Sequence, residues 1–322
     1  MTYPVAAAPY LGGSIPSPAY AGTFIPQIWS GKLIEKFYDA TVLAAIANTD
    51  YEGEIKNQGD TVKIRTKPSI NISDYEAGQT LAIQRPSSNI VELLINKGKY
   101  FNTILDDVME VQADLNQLSM WADDASQQMK IKIDSDVLDG LGAAITTADT
   151  NNWNSGNLAG RISQSIVLGE AGTPCMLVKS GGDDSATYDV LDYIVNMGTV
   201  LDEQNIPETG RWMIIPAWMA GMIKKSELKD ASISGDGTSI LRNGRLGMID
   251  RFTLYSSNLL PSAGGETEVF AGHSHGLTFA SQLTNVETLR AESSFGTLLR
   301  GLQVFGWNVV DYRSLVVGVV SK

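Results

Sequence analysis

The sequence predicts an α+β fold, and three observations carry that reading. A period-two hydrophobic pattern occupies the segment from Tyr51 to Asn102. A three-and-four-spaced apolar stripe follows it without a proline. Beyond residue 250 the chain is rich in β-branched and aromatic residues, interrupted by glycines. Period two marks strands with one wet face, and three-four spacing marks a helix.

Size and composition set the frame. The chain has 322 residues, a net charge of -12 and a single cysteine, Cys175. It is long enough to bury more than one core. Its apolar and charged fractions, 43% and 19%, are those of an ordinary globular protein. No apolar run approaches the roughly 20 residues that span a bilayer. The first residues lack the basic start of a signal peptide, which argues against a secreted adhesin. A lone cysteine excludes an intrachain disulfide and fits a reducing compartment. An acidic surface repels nucleic acid, since DNA binding by charge neutralisation needs Lys and Arg opposite phosphates. A container wall tolerates that sign, because polymer inside must not stick to it.

Residues 1 to 25 carry Pro4, Pro9, Pro16 and Pro18, which predicts an extended arm and no helix. It is either a frayed terminus or an arm ordered only against another subunit, and its aromatics favour the second. A helix is expected from Pro26 to about Ala47, with proline in the first turn. Val62 and Ile64 alternate with Lys63, Arg65 and Lys67. Ile70 and Ile72 extend the strand past Pro68, Ala77-Gly78-Gln79 breaks it, and Ile90–Ile95 returns. The result is a long, thin hairpin, marginal by itself in water. It must therefore lie on something else.

Ile104 is expected to open one very long helix reaching Leu141, on the order of 50 Å. Its stripe resembles a coiled-coil seam, but the mix of Val, Met, Leu, Ala and Trp favours packing on a sheet of the same domain. Residues 142 to 185 read as loops with short strands at Ile162–Leu168 and Cys175–Val178. An amphipathic helix follows over Val190–Leu201, ended by Pro207. A buried strand spans Trp212–Ile215, a helix runs from Pro216 to about Leu228, and Ser234–Gly247 is a Gly-rich loop. Strands are predicted at Phe252–Tyr255, Glu268–Phe279 and Val286–Arg290 and through Leu298–Val320.

Chemistry is scarce. His273 and His275, spaced to share one face of a strand, with Glu266 and Glu268 nearby, are the one candidate metal group, and a third ligand is wanting. No Gly-x-Ser-x-Gly elbow, phosphate-binding loop or dinucleotide fingerprint occurs. No catalytic, cofactor-binding or metal residue is therefore assigned. Charge, however, is divided. Lys56–Lys99 holds seven bases and four acids, whereas Ile104–Leu141 holds two bases and nine acids. Opposite signs on two parts of one chain suggest attraction between copies. The contact expected joins Lys63, Arg65, Lys67 and Arg85 of one subunit to Asp106, Asp107, Asp114, Asp123 and Asp124 of the next.

The order of parts resembles the major capsid protein of tailed double-stranded DNA bacteriophages. The resemblance rests on Phe24-Ile25-Pro26-Gln27-Ile28-Trp29-Ser30, then Asp50–Ile55 and Gly59–Ile64, then Leu201–Pro207 with Gly210-Arg211-Trp212 and Pro216, and finally Gly244–Met248 with Phe252, Tyr255 and Ser256. It implies an N-terminal arm (1–25), a hairpin called the E-loop (51–102), and a peripheral domain (26–50, 103–185 and 286–322) with a spine helix over about 104–141. An axial domain (186–285) completes it. It also implies self-assembly as hexamers and pentamers into an icosahedral shell around the genome, in the virion after assembly in the host cytoplasm. No enzyme activity, cofactor or membrane contact is implied, and DNA is met by non-specific proximity only. Since only about 25 residues precede Pro26, a separate scaffolding protein is expected, with a portal and a decoration protein as further partners. An encapsulin shell shares the fold and is the alternative; a β-rich metalloenzyme using His273 and His275 is the other.

Overall fold

Alternating side chains on one mixed sheet build two hydrophobic cores, one on each face. The computed structural model describes residues 38–39, 41–50, 61–65, 68, 70–86, 90–107, 117–148, 166–181, 187–226, 247–292 and 295–322. The sheet contains β4 (Cys175–Val178), β5 (Thr187–Asp189), β6 (Arg211–Ile215), β7 (Met248–Ile249), β8 (Phe252–Ser256), β9 (Ser262–Ala263), β10 (Glu266–His273) and β13 (Leu315–Ser321). Its order is β5-β4-β13-β10-β6-β8-β7, with β9 on β10. β10 runs antiparallel to both β13 and β6, while β13 and β4 are parallel.

Strand periodicity sends successive residues to opposite faces. Val316, Val320, Val269, Ala271, Met213 and Ile215 join Tyr193, Ile194, Met197 and Leu201 of α3 (Val190–Glu203) and Met219 and Ile223 of α4 (Ala217–Lys225). The intervening Leu315, Val317, Phe270, Trp212 and Ile214 face the other way. They join Ile133, Val137, Leu138, Leu141 and Ile145 of α2 (Gln117–Ala148). Gly318 permits a close approach in the first core. A Cβ there would stand 2.1 Å from Tyr193 Oη, the hydroxyl that donates to the Leu168 carbonyl at 2.9 Å.

A second sheet is formed by β11 (Leu277–Arg290), β12 (Gly296–Val309) and β3 (Lys97–Asp106), antiparallel in that order. The hairpin strands β1 (Thr61–Arg65) and β2 (Ile90–Leu94) pair with each other in register. Their inward side chains, Ile64 and Leu93, meet Ile95, Ala280 and Val304. The hairpin root therefore rests on its own chain. At the crossing, Gly306 admits the β2 backbone: a Cβ would lie 2.2 Å from the Leu94 carbonyl oxygen.

Several sequence expectations change. Residues 104 to 106 are strand, not helix, because Ile104, Leu105 and Asp106 complete a ten-pair ladder with β12. The long helix runs to Ala148, beyond Leu141. It packs on a sheet of the same chain, and its described 32 residues span about 48 Å. Ile70 and Ile72 are not in a strand. The run Glu268–Phe279 divides at a turn, where Gly276 N–H donates to His273 O at 3.0 Å, and Val286–Arg290 is the end of β11. The helix after Asp189 stops at Glu203, ahead of Pro207. Asn205 there takes φ 60°, and Ile206 N–H closes onto Leu201 O at 3.2 Å, a left-handed helix stop. Of the helix expected over 26–47, the described part is a single turn, α1 (Leu43–Ile46). Most of the Ser234–Gly247 loop and the 1–25 arm lie outside the described residues; of the strand expected at Ile162–Leu168, only 166–168 are described, and they are not strand. The eight-stranded sheet takes β4 and β13 from outside the 186–285 span.

Candidate functional site

The surface best suited to bind something is the outer half of the hairpin. Beyond the β1–β2 ladder, residues 70 to 86 are exposed throughout. Ile72 and Ile83 are 97% and 92% exposed, and Ile70, Tyr75 and Leu81 are also uncovered. The Gln84 side chain ties the two limbs: it accepts from Asn71 N–H at 3.1 Å and donates to Asn71 O at 2.8 Å. A turn at Ala77-Gly78, with Gly78 at φ 89°, reverses the chain. Five large apolar side chains in one narrow ribbon form an unpartnered patch of the kind that marks protein contacts.

The charged residues singled out from sequence are spread over this frame. Lys63 stands 3.4 Å from Glu92 across the β1–β2 ladder, both exposed, so the pair adds little stability. Arg65 and Arg85 are exposed. Lys67 and Asp114 lie outside the described residues. Asp106 is exposed at the end of β3, and Asp107 accepts from both Arg290 guanidinium nitrogens, one at 2.8 Å. Asp123 is exposed on α2, and Asp124 accepts from Tyr38 Oη at 2.8 Å. Among the described residues of one subunit, only Lys63 of the basic set lies near an acid, Glu92 of the hairpin, and the basic and acidic sets are not brought together.

The attraction between hairpin and helix is partly met within the chain, by residues not singled out. Lys97 and Lys99 Nζ each lie 3.1 Å from Asp136 of α2. Lys97 also sits 4.8 Å above the Trp307 ring, a favourable cation–π position. Burial alone would raise the Asp136 pKa; hydrogen bonds from Lys99 and Lys97 outweigh it and hold the carboxyl below its ordinary range. Asp134, also missed, is buried on the same helix and accepts from Val42 N–H at 2.8 Å and Leu43 N–H at 2.9 Å. It caps the first turn of α1, and desolvation raises its pKa against those two bonds. The lysine pairs were legible as charge spacing; the cap was not, since it joins residues 92 positions apart.

A second ionic cluster fixes the loop after α3. The fully buried Arg211 side chain donates to Pro207 O at 2.9 Å and Ile206 O at 2.6 Å, and its Nη1 lies 2.7 Å from Asp202. Arg251 holds the other Asp202 oxygen at 2.7 Å and reaches Glu208 at 3.1 Å. Burial acts to raise the Asp202 pKa, but hydrogen bonds from Arg251 and Arg211 bring it below the ordinary value.

The histidine pair does not form a metal-binding face. β10 ends at His273, and His275 sits in the turn. His273 Nδ1 accepts His275 N–H at 3.1 Å. Burial lowers the His273 pKa, opposed by a hydrogen bond to the Thr209 backbone. Glu268 and Glu266 lie five and seven residues back along the strand, about 16 and 23 Å away at roughly 3.3 Å per residue. Among the described residues no group of three potential metal ligands occurs.

Comparison with known proteins agrees with this architecture. A protein from Mycobacterium phage Che8 superposes with a TM-score of 0.71 at 26% identity, over 92% of this chain and 97% of that one. The capsid structure of cyanophage P-SCSP1u gives 0.68 at 15% identity, over 92% and 93%. The mature capsid of bacteriophage PhiM1 gives 0.66 at 12%, over 96% of both chains. The last two likenesses establish the fold alone. Curated proteins give no significant match. The family model described as phage capsid protein matches residues 91–318, well over half of the sequence. The chain therefore belongs to the phage capsid protein family, and it is a structural major capsid protein of the virion shell, not an enzyme.

Proposed function

We propose that each subunit lays the outer half of its hairpin over an adjoining copy, and that this contact closes hexamers and pentamers of an icosahedral shell around double-stranded DNA. The observation that carries the reading is the uncovered ribbon of Ile70, Ile72, Tyr75, Leu81 and Ile83. Moving such side chains out of water is worth about 1.5–3 kcal/mol each, and among the described residues nothing in the same chain does so. In this reading the exposed Arg65, Arg85, Asp106 and Asp123 add polar contacts at the margins of that overlap. In this scheme the body divides into a peripheral part around α2 and the β11-β12-β3 sheet and an axial part around α3, α4 and β6.

A separate scaffolding protein, a portal and a decoration protein are the further partners in this scheme, with assembly in the host cytoplasm; these follow from the resemblance to tailed-phage coat proteins. The net charge of -12 supports a wall that encloses DNA without gripping it. The encapsulin alternative has no separate observation in its favour.

The test is protease access. Chymotrypsin is expected to cut free subunits at Tyr75 or Leu81 and to leave these sites intact in assembled particles. Equal cleavage in both forms would remove the basis for the overlap.

A further inference from the structure

Glu268 is an acid at a place where the fold calls for an apolar side chain. Strand periodicity puts it on the face of β10 that carries Phe270, toward α2. Its partner across the ladder is the buried Val319. Its N–H donates to Pro261 O at 3.0 Å, which fixes the backbone. The carboxyl enters a notch in the long helix: a Cβ on Gly142 would stand 2.3 Å from Glu268 Oε2 and 3.3 Å from Oε1. Residues three apart share a helix face, so Asp139 stands beside that notch.

A half-buried carboxylate calls for a cation, and the surroundings are acidic instead. From α2 come Asp139, which accepts from Ser135 Oγ at 3.5 Å, and Asp136, which Lys97 and Lys99 already hold. On the same strand, Glu266 accepts Gly172 N–H at 3.1 Å. β9 is uncharged, and β13 presents Val319 and ends at Ser321, with Lys322 exposed beyond it. Among the described residues no base pairs with Glu268. Burial, and then the Asp139 charge, hold its carboxyl above the ordinary range.

We propose that this seam is a proton-operated seat for the long helix. With a proton on Glu268, the neutral carboxyl lies in the Gly142 notch and α2 packs on the eight-stranded sheet. Without it, two carboxylates face each other under the helix, and the turns from Asp139 to Ala148 loosen from β10. The device lies within one subunit and does not depend on how copies meet. The folded carboxyl keeps its proton to higher pH than the unfolded one, so the folded state binds more protons between the two values. The stability of the seat is complete below the unfolded value, ordinarily 4.5, and is lost as pH rises through the folded one.

Hydrogen exchange on full-length subunits, read by peptide mass and corrected for the intrinsic pH dependence of exchange, tests it. Between about pH 5 and about pH 8, protection of residues 139–148 is expected to fall about threefold or more in the parent and to stay level in Glu268→Gln. α3 packs on the opposite face of the sheet and should give one profile in both proteins. Asp134, buried on the same helix, and His273, at the end of β10, also have shifted values; they are common to both proteins, so the difference between the two profiles reports Glu268. The same profile for 139–148 in parent and variant, or an equal change in α3, would overturn the seat. Should Glu268→Gln fail to fold, Asp139→Asn decides, because that residue is exposed. Removing the opposing charge is expected to shrink the loss of protection at high pH, and an unchanged profile overturns the proposal.

Discussion

Replacing Ile72 and Ile83 together by serine separates folding from assembly. In the free subunit these side chains are 97% and 92% exposed, so their removal takes almost no buried area from the folded chain. Surface changes of that kind alter stability by no more than about 0.5 kcal/mol. In the shell each would be buried, and each isoleucine contributes about 1.5–3 kcal/mol on burial. The double variant therefore loses at least about 3 kcal/mol per contact. At 1.4 kcal/mol per factor of ten, the concentration at which particles appear rises by roughly two orders of magnitude. Sedimentation velocity across a concentration series reads that threshold, and a urea titration of the dissociated subunit reads stability. A subunit clearly destabilised by the change, or a threshold shifted less than threefold, would refute the reasoning.

Three further outcomes follow from the body of the chain. Asp136→Asn is expected to lower the urea midpoint at pH 7. The Asp136 folded pKa lies below its unfolded value, so the unfolded state binds more protons in the acid range and the contribution present above the unfolded pKa fades as pH falls through the folded one. The variant and parent curves should then converge toward pH 3, and a gap that widens on acidification contradicts the ion-pair account. Gly318→Ala drives a methyl against Tyr193 Oη and should cost about 1–3 kcal/mol as overpacking; an unchanged thermal midpoint would show that the core yields there. Arg211→Met removes the donors to Ile206 and Pro207 and should open the 204–210 loop to proteolysis while α3 stays helical by circular dichroism. Equal protection in both would mean that the helix stop at Asn205 holds the loop without Arg211.

What could be read from the residues alone divides by the range of the interaction. The β1 and β2 strands, α3 and β6 were legible because their apolar spacing is local. The helix start was misplaced because Ile104 and Val108 also fit a helical step; only pairing with residues nearly 200 positions later makes 104–106 a strand. The break between β10 and β11 was masked by strand-forming residues on both sides of Gly276. For the binding surface, the apolar ribbon was legible, but a charge count by segment does not say which charges pair inside the chain. The pairing of Lys97 and Lys99 with Asp136 consumes part of that count inside one chain. Asp134 as a cap comes from folding distant segments together.

The position of β13 has a consequence for timing. This strand, Leu315–Ser321, lies between β10 and β4 near the middle of the eight-stranded sheet, and both hydrophobic cores include its side chains. A nascent chain still lacking it has an open seam through its centre and no finished surface to offer a neighbour. Both cores can close only once residues 315–321 have been made, so a chain cut short of Leu315 leaves uncovered the two apolar faces that this strand joins.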